Sequence, residues 1–277
     1  MNKAKHDSSP KLGPALGSLA AGECRSLQRA LAMRKKRHEG IHATRKSCRR
    51  LRCLIRFLPA AEPVDALDRV LKELARSFSP LRDAHIAART ARLLATSHKI
   101  KLTPNVIKAF DAHSERLLDN ALQDDPHWRH RRAEAHRVIA ACNSLRWEDI
   151  RPSSAKKTLK RTTRKMKKTQ KEATELRAAA ADHRWRRRAR KVRYELEHLR
   201  KARRIADMKK SRTKRYGERA KQLAAITDRL GWRQDFQVFV KTANLLPDSL
   251  DVLALRKALK TNSSNLSQSE PPPASHN

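Results

Sequence analysis

The sequence predicts an all-α protein, and three observations carry that prediction. Glycine contributes only 6 of 277 residues, too few for Gly-rich phosphate loops or a series of tight hairpins. Alanine and leucine, both strong helix formers, contribute 39 and 32. Apolar positions recur at helical spacing, while no stretch sustains strand alternation between turn signals.

The elements follow in order. Residues 1–14 are polar, carry Pro10 and Pro14, and read as a disordered tail. Helices are expected near 15–38, 40–58, 64–95 with an interruption at Pro80, 104–121, 126–145, 154–177, 182–206, 218–244 with an interruption around Gly231, and 248–260. Breaks near Pro59–Pro63, Ser97–Pro104, Asp124–Pro126, Arg151–Ser154, Tyr216–Gly217 and Pro247–Asp248 separate them. Residues 261–277 are rich in Ser, Asn and Pro without periodicity and read as a second tail.

Charge decides the class of partner. Sixty-five Lys and Arg against 28 Asp and Glu give a formal charge of +37 before any contribution from 12 His. A compact body with that excess repels itself, and the partner that neutralises it is a polyanion: nucleic acid, an anionic membrane or inorganic polyphosphate. Small neutral metabolites are a poor match. Four cysteines, Cys24, Cys48, Cys53 and Cys142, form no CxxC or Cys/His metal pattern and read as packed, reduced thiols. The N-terminus lacks a continuous apolar h-region and no stretch approaches the ~18–20 apolar residues of a membrane span, so a soluble, cytoplasmic chain is expected.

The chain also repeats. His42-Ala-Thr-Arg45-Lys46-Ser-Cys-Arg49-Arg50-Leu51-Arg52 aligns without gaps on His183-Arg-Trp-Arg186-Arg187-Arg-Ala-Arg190-Lys191-Val192-Arg193. Downstream, Phe78-Ser79-Pro80-Leu81-Arg82-Asp83 aligns on Leu230-Gly231-Trp232-Arg233-Gln234-Asp235. Two related helical halves, 15–150 and 151–260, are therefore expected.

At about 100° per residue, His42, Arg45, Arg49, Arg52 and Arg56 fall within one arc of about 80°, opposite Leu51, Leu54, Ile55 and Leu58. The second copy sets His183, Arg186, Arg190 and Arg193 against Trp185, Ala189, Val192, Leu196 and Leu199. Lys46 and Arg50, and likewise Arg187 and Lys191, widen the stripes on one flank. Like charges at these spacings destabilise an isolated helix by a few tenths of a kcal/mol per pair, so the two stripes imply a compensating anion. Arg dominates both, and its planar fork binds phosphate oxygens bidentately, a choice that solubility alone would not require. A third basic helix, residues 156–171, carries 9 Lys and Arg and no acid, with Lys160 and Arg164 on one side as candidate contacts. The runs Arg34–Arg37 and Lys209–Arg215 read as solvated faces.

These strings, together with SPLRDAH, LGWRQD and R-Y-x-L-E, resemble the CHAD family, named for conserved histidines in an α-helical domain, over most of residues 15–245. The resemblance implies two helical bundles related by a pseudo-twofold axis, forming one domain whose facing basic helices line a channel for inorganic polyphosphate. It implies polyphosphate contact at Arg45, Arg49, Arg50 and Arg52 and at Arg186, Arg187, Arg190, Lys191 and Arg193, with His42 and His183 as the naming histidines. It also implies association with polyphosphate granules.

Catalysis is not expected. The sequence contains no HExxH, GxSxG or acidic Mg²⁺ cluster, and no cofactor or metal site is expected. Asp83 and Asp235 fit helix capping or the orientation of neighbouring Arg side chains. The rival reading is binding to a DNA or RNA phosphate backbone, which +37 would also suit. Only 4 Trp, 2 Tyr and 5 Phe are present, which disfavours single-strand recognition by base stacking and leaves non-specific nucleic-acid binding at low salt.

Overall fold

Helix formation here follows the spacing of the apolar residues. In α1, Leu12–Ala32, the buried side chains Leu12, Ala15, Leu16, Ala20, Cys24, Leu27 and Leu31 recur every three or four positions and make one continuous core face. The computed structural model describes residues 12–96, 100 and 102–268, and every regular element among them is helical. After α1 come α2 (Arg37–Leu54), closed by a 3₁₀ turn at Ile55–Phe57, α3 (Glu62–Ser77), α4 (Ser79–Thr96) and α5 (Pro104–Asp124). Then follow α6 (Arg129–Asn143), α7 (Pro152–Leu176), α8 (Ala179–Ile205), α9 (Lys210–Ala243) and α10 (Leu250–Gln268).

Several boundaries differ from the sequence reading, each for a local reason. The break between α3 and α4 falls at Phe78 rather than Pro80. Phe78 is fully buried against the edge of Trp128, and Pro80 sits in the first turn of α4, where its missing N–H has no helical partner to lose. The helix expected over 126–145 starts at Arg129, because His127 and Trp128 adopt left-handed backbone and the buried Asp125 carboxylate accepts the His130 N–H at 2.8 Å.

The expected breaks at Tyr216–Gly217 and Gly231 do not occur, and α9 runs unbroken from Lys210. At Gly231 a Cβ would lie 2.9 Å from Nη2 of Arg186, so the missing side chain makes room for a guanidinium and does not end the helix. The first helix stops at Ala32, earlier than expected, and α2 starts at Arg37. Of the expected tails, Leu12–Pro14 belong to α1 and α10 extends to Gln268, while residues 1–11 and 269–277 lie outside the described residues.

Two apolar cores organise the packing, and they cut across the expected boundary at residue 150. One joins α1, α2, α3, α6, α7, α8 and the first part of α9, together with Leu81 at the start of α4 and Leu118 of α5. The other joins α4, α5, the last part of α9 and α10, with Phe110 stacked on Phe239 at 4.9 Å. Helix α9 therefore spans both cores, and α8 packs against α1, α2, α7 and α9. This interleaving brings α2 and α4 from one half of the sequence beside α8 and α9 from the other.

Candidate anion-binding site

The apolar faces of α2 and α8 enter the first core through Leu51, Leu54, Val192, Leu196 and Leu199, which turns their arginine faces toward each other. Arg190 feels the result most strongly. Burial, then repulsion from Arg186, Arg49 and Arg82, pulls its guanidinium down to about 9. Arg45 is held at about 10 by burial and by Arg49 and Arg82. Burial also lowers Arg186, with Asp235 opposing and Arg82 and Arg49 adding to the effect. His42 is lowered by burial and then by Arg49, Arg82, Lys46 and Arg45, so it is neutral at pH 7. The arginines stay charged at that pH, and five of them, drawn from α2, α4 and α8, share one field.

Beside this cluster opens a cavity of about 390 Å³. Arg49, Arg52 and Cys53 of α2 with Arg56 of the following 3₁₀ turn form one wall, and Arg184, Arg187, Arg188, Arg190, Lys191 and Tyr194 of α8 form the other, with Thr169 of α7 at the side. No carboxylate lines it. Among the described residues Arg49 and Arg190 have no acidic partner within ion-pair distance, and Nε of Arg49 is buried without a hydrogen-bond acceptor.

Other arginines of the stripes are held by the protein itself. Arg52 binds Asp68 through two bonds of 2.9 and 2.8 Å, while still reaching the cavity wall. Arg50 lies between Glu197 at 2.8 Å and Glu23 at 3.4 Å. Arg193 meets Glu197 at 3.2 Å and donates to the Thr227 hydroxyl at 3.0 Å. Arg50 and Arg193 also stack over the Tyr194 ring, at 5.3 and 5.4 Å from its centroid. Of these three only Arg52 lines the cavity, whereas Arg50 and Arg193 lie behind its lining residue Tyr194 as ion-paired neighbours.

Matched positions of the repeat make matched bonds. Arg45 donates to the carbonyl of Ala75 and to the Ser79 hydroxyl, and Arg186 donates to the carbonyl of Thr227, the residue aligned with Ala75. His183 Nδ1 hydrogen-bonds Oε1 of Gln234, whereas its counterpart His42 faces Arg82, which occupies the position aligned with Gln234. Lys46 and Arg56 are both exposed, but only Arg56 lines the cavity. Lys160 and Arg164 are exposed on α7 and lie outside the cavity lining, to which α7 contributes Thr169.

Two contributors escaped the sequence reading. Arg82, noted there only within an aligned string, joins the arginine cluster and is held by Asp83 at 2.9 Å and Asp235 at 3.2 Å. Glu195 is fully buried below Tyr194; burial pushes it up to about 8, and one oxygen accepts from the Thr162 hydroxyl at 3.1 Å. Its spacing with Val192, Leu196 and Leu199 puts a carboxyl on an apolar face, which was a readable signal. No group of three or more His, Cys, Asp or Glu side chains fit to hold a metal occurs among the described residues, nor is any helix there long and apolar enough to cross a membrane.

Fold and site together define an all-helical protein with a guanidinium-lined cleft between two repeated helices. The model of the CHAD domain matches residues 20–244, and the chain belongs to that family. Among solved structures it is similar to the crystal structure of the CHAD domain from the plant Ricinus communis, with a TM-score of 0.65 and 19% identity over 94% of this chain and 89% of that one. No curated protein matches the chain.

Proposed function

We propose that this protein binds long-chain inorganic polyphosphate in the cleft between α2 and α8 and does not hydrolyse it. The observation that carries the reading is the meeting of Arg49 and Arg190 without acidic partners, inside a field that depresses Arg190, Arg45 and Arg186 together. Phosphate oxygens supply the missing counter-charge, and Arg forks bind them in pairs. A short phosphate touches one wall, whereas a long chain engages both and gains the advantage of effective concentration. Such a protein gathers where its ligand gathers, in cytoplasmic polyphosphate granules.

Calorimetry on long polyphosphate, triphosphate and duplex DNA at ~150 mM salt, where exposed charges are largely screened, tests the proposal. Long polyphosphate binds best, and equal affinity for duplex DNA would overturn it in favour of a backbone-directed nucleic-acid binder. Arg49→Glu with Arg190→Glu weakens long-polyphosphate binding at least ~10-fold while helicity by circular dichroism persists. Arg34→Glu with Lys35→Glu, on the exposed connection before α2, changes little.

A further inference from the structure

The turn from α8 into α9 encloses a cleft of about 480 Å³, lined by Arg200, Arg203 and Arg204 of α8 and by Lys210 and Lys214 of α9, with Asp207 and Thr213 between them. From Arg190 to the lining residues Arg200 and Arg204 is 10 to 14 residues of helix, about 15–21 Å at about 1.5 Å per residue, so this corner is separate from the arginine cluster between α2 and α8. The sequence reads Lys209–Arg215 as a solvated basic run, but the fold makes it one wall of a concave site.

Three independent features separate the corner from a solvated patch. Arg203 is only 5% exposed, and its acceptors are all neutral: the Thr213 hydroxyl at 3.3 Å, the Lys209 carbonyl at 3.2 Å and the Met208 sulfur at 3.7 Å. A desolvated guanidinium without a carboxylate is a charge that the protein leaves uncompensated. Second, none of the five cations has an ion-pair partner among the described residues, while Asp207 supplies a single negative charge to the wall. Third, α9 is 34 residues long, has no acid in its first turn, and its N-cap residue Lys209 makes no side-chain cap bond, so its dipole and first-turn N–H groups meet this basic corner uncompensated.

Gly217 adds a positioning device. A Cβ there would stand 3.3 Å from Cδ of Arg200, so the bare backbone lets the Arg200 stem lie across α9 beside the cleft.

We propose that this α8–α9 corner is a second anion site, separate from the α2–α8 cleft, that takes a phosphate-class oxyanion. Two sources share that chemistry, a free short phosphate such as pyrophosphate and a phosphate unit of a longer polyphosphate chain. Buried Arg203, with its hydrogen bonds to Thr213 and Lys209, fixes the floor, and Arg200, Arg204, Lys210 and Lys214 supply the mobile donors.

The test starts from Arg49→Glu/Arg190→Glu, which removes the other cleft from consideration, and titrates pyrophosphate and long polyphosphate separately by calorimetry. Adding Arg200→Gln, Arg204→Gln and Lys214→Gln, all outside the buried floor, weakens the remaining binding at least tenfold, about the loss from one charge-assisted bond. Circular dichroism of each variant establishes that it is folded. Should the charge reversals unfold the chain, Arg49→Gln/Arg190→Gln replaces them. Pyrophosphate binding that survives the first pair and falls with the second set supports a site for free short phosphates; the same pattern with polyphosphate alone supports a site for the chain. Binding that persists after all five changes overturns the site, as does a folded Arg49→Glu/Arg190→Glu protein that binds neither anion. Failure of the polyphosphate proposal for the α2–α8 cleft is read separately, from long-chain binding that Arg49→Glu/Arg190→Glu leaves unchanged in affinity.

Discussion

Replacing Arg190 with Met should stabilise the ligand-free protein while weakening its hold on polyphosphate. Arg190 sits near 9, well below the ordinary arginine range, first because it is desolvated and then because Arg186, Arg49 and Arg82 repel it. At about 1.4 kcal/mol per tenfold change in proton affinity, that depression corresponds to an unfavourable free energy on the order of 4–5 kcal/mol. Solvent and salt screen part of it, and Met retains most of the packed stem, so a net gain of about 1–2 kcal/mol is the expected size. For a chain of this length each kcal/mol moves Tm by about 2–4 °C, so Tm rises by roughly 2–8 °C in low-salt buffer free of phosphate. Differential scanning calorimetry over increasing salt reads the effect, which shrinks as the field is screened. A fall in Tm at low salt, or undiminished polyphosphate affinity, would refute the argument that Arg190 is held against its own electrostatics in order to bind an anion.

Two further outcomes follow from individual side chains. Glu195 is raised to about 8 by burial, so between about pH 4.5 and 8 the folded chain holds a proton that the unfolded chain has lost, and the stability from this group declines as pH climbs through that window. Glu195→Gln therefore flattens the decline, by up to a few kcal/mol near pH 8, and denaturation midpoints at pH 5 and pH 8 measure it; an unchanged slope would mean that Glu195 is ionised in the folded protein. Gly231→Ala gains about 1 kcal/mol of helix propensity but pushes Nη2 of Arg186, 2.9 Å from the new methyl, out of place. Urea melts should show stability within about 1 kcal/mol of the parent, while polyphosphate affinity drops; equal affinity would show that the position of Arg186 does not matter.

Helix identity was readable because it depends on local order. The apolar spacing of α1 and the two-faced pattern of α2 survive intact in the structure, and so does the repeat, as bonds from Arg45 and Arg186 to aligned carbonyls. The errors came where a tertiary neighbour overrode a local signal. Gly231 and Gly217 looked like helix ends and are instead clearances for Arg186 and Arg200, which no reading of α9 alone could show. Phe78 ended α3 because Trp128 and Arg131 hold its ring, not because of the proline two residues later.

The sequence by itself determined the all-helical class, the family, and which helices carry arginine on one side, since each of these follows from composition and from spacing along a single helix. Only the tertiary structure decided which arginines remain open to a ligand. Arg50, Arg52 and Arg193 look the same as Arg49 and Arg190 in the repeat, yet Glu23 and Glu197 reach Arg50, Asp68 reaches Arg52 and Asp228 of α9 approaches Arg193 across helix contacts, while Arg49 and Arg190 meet no acid among the described residues. An electrostatic partner acts through space over a few ångströms, whereas residue spacing records only position along the chain.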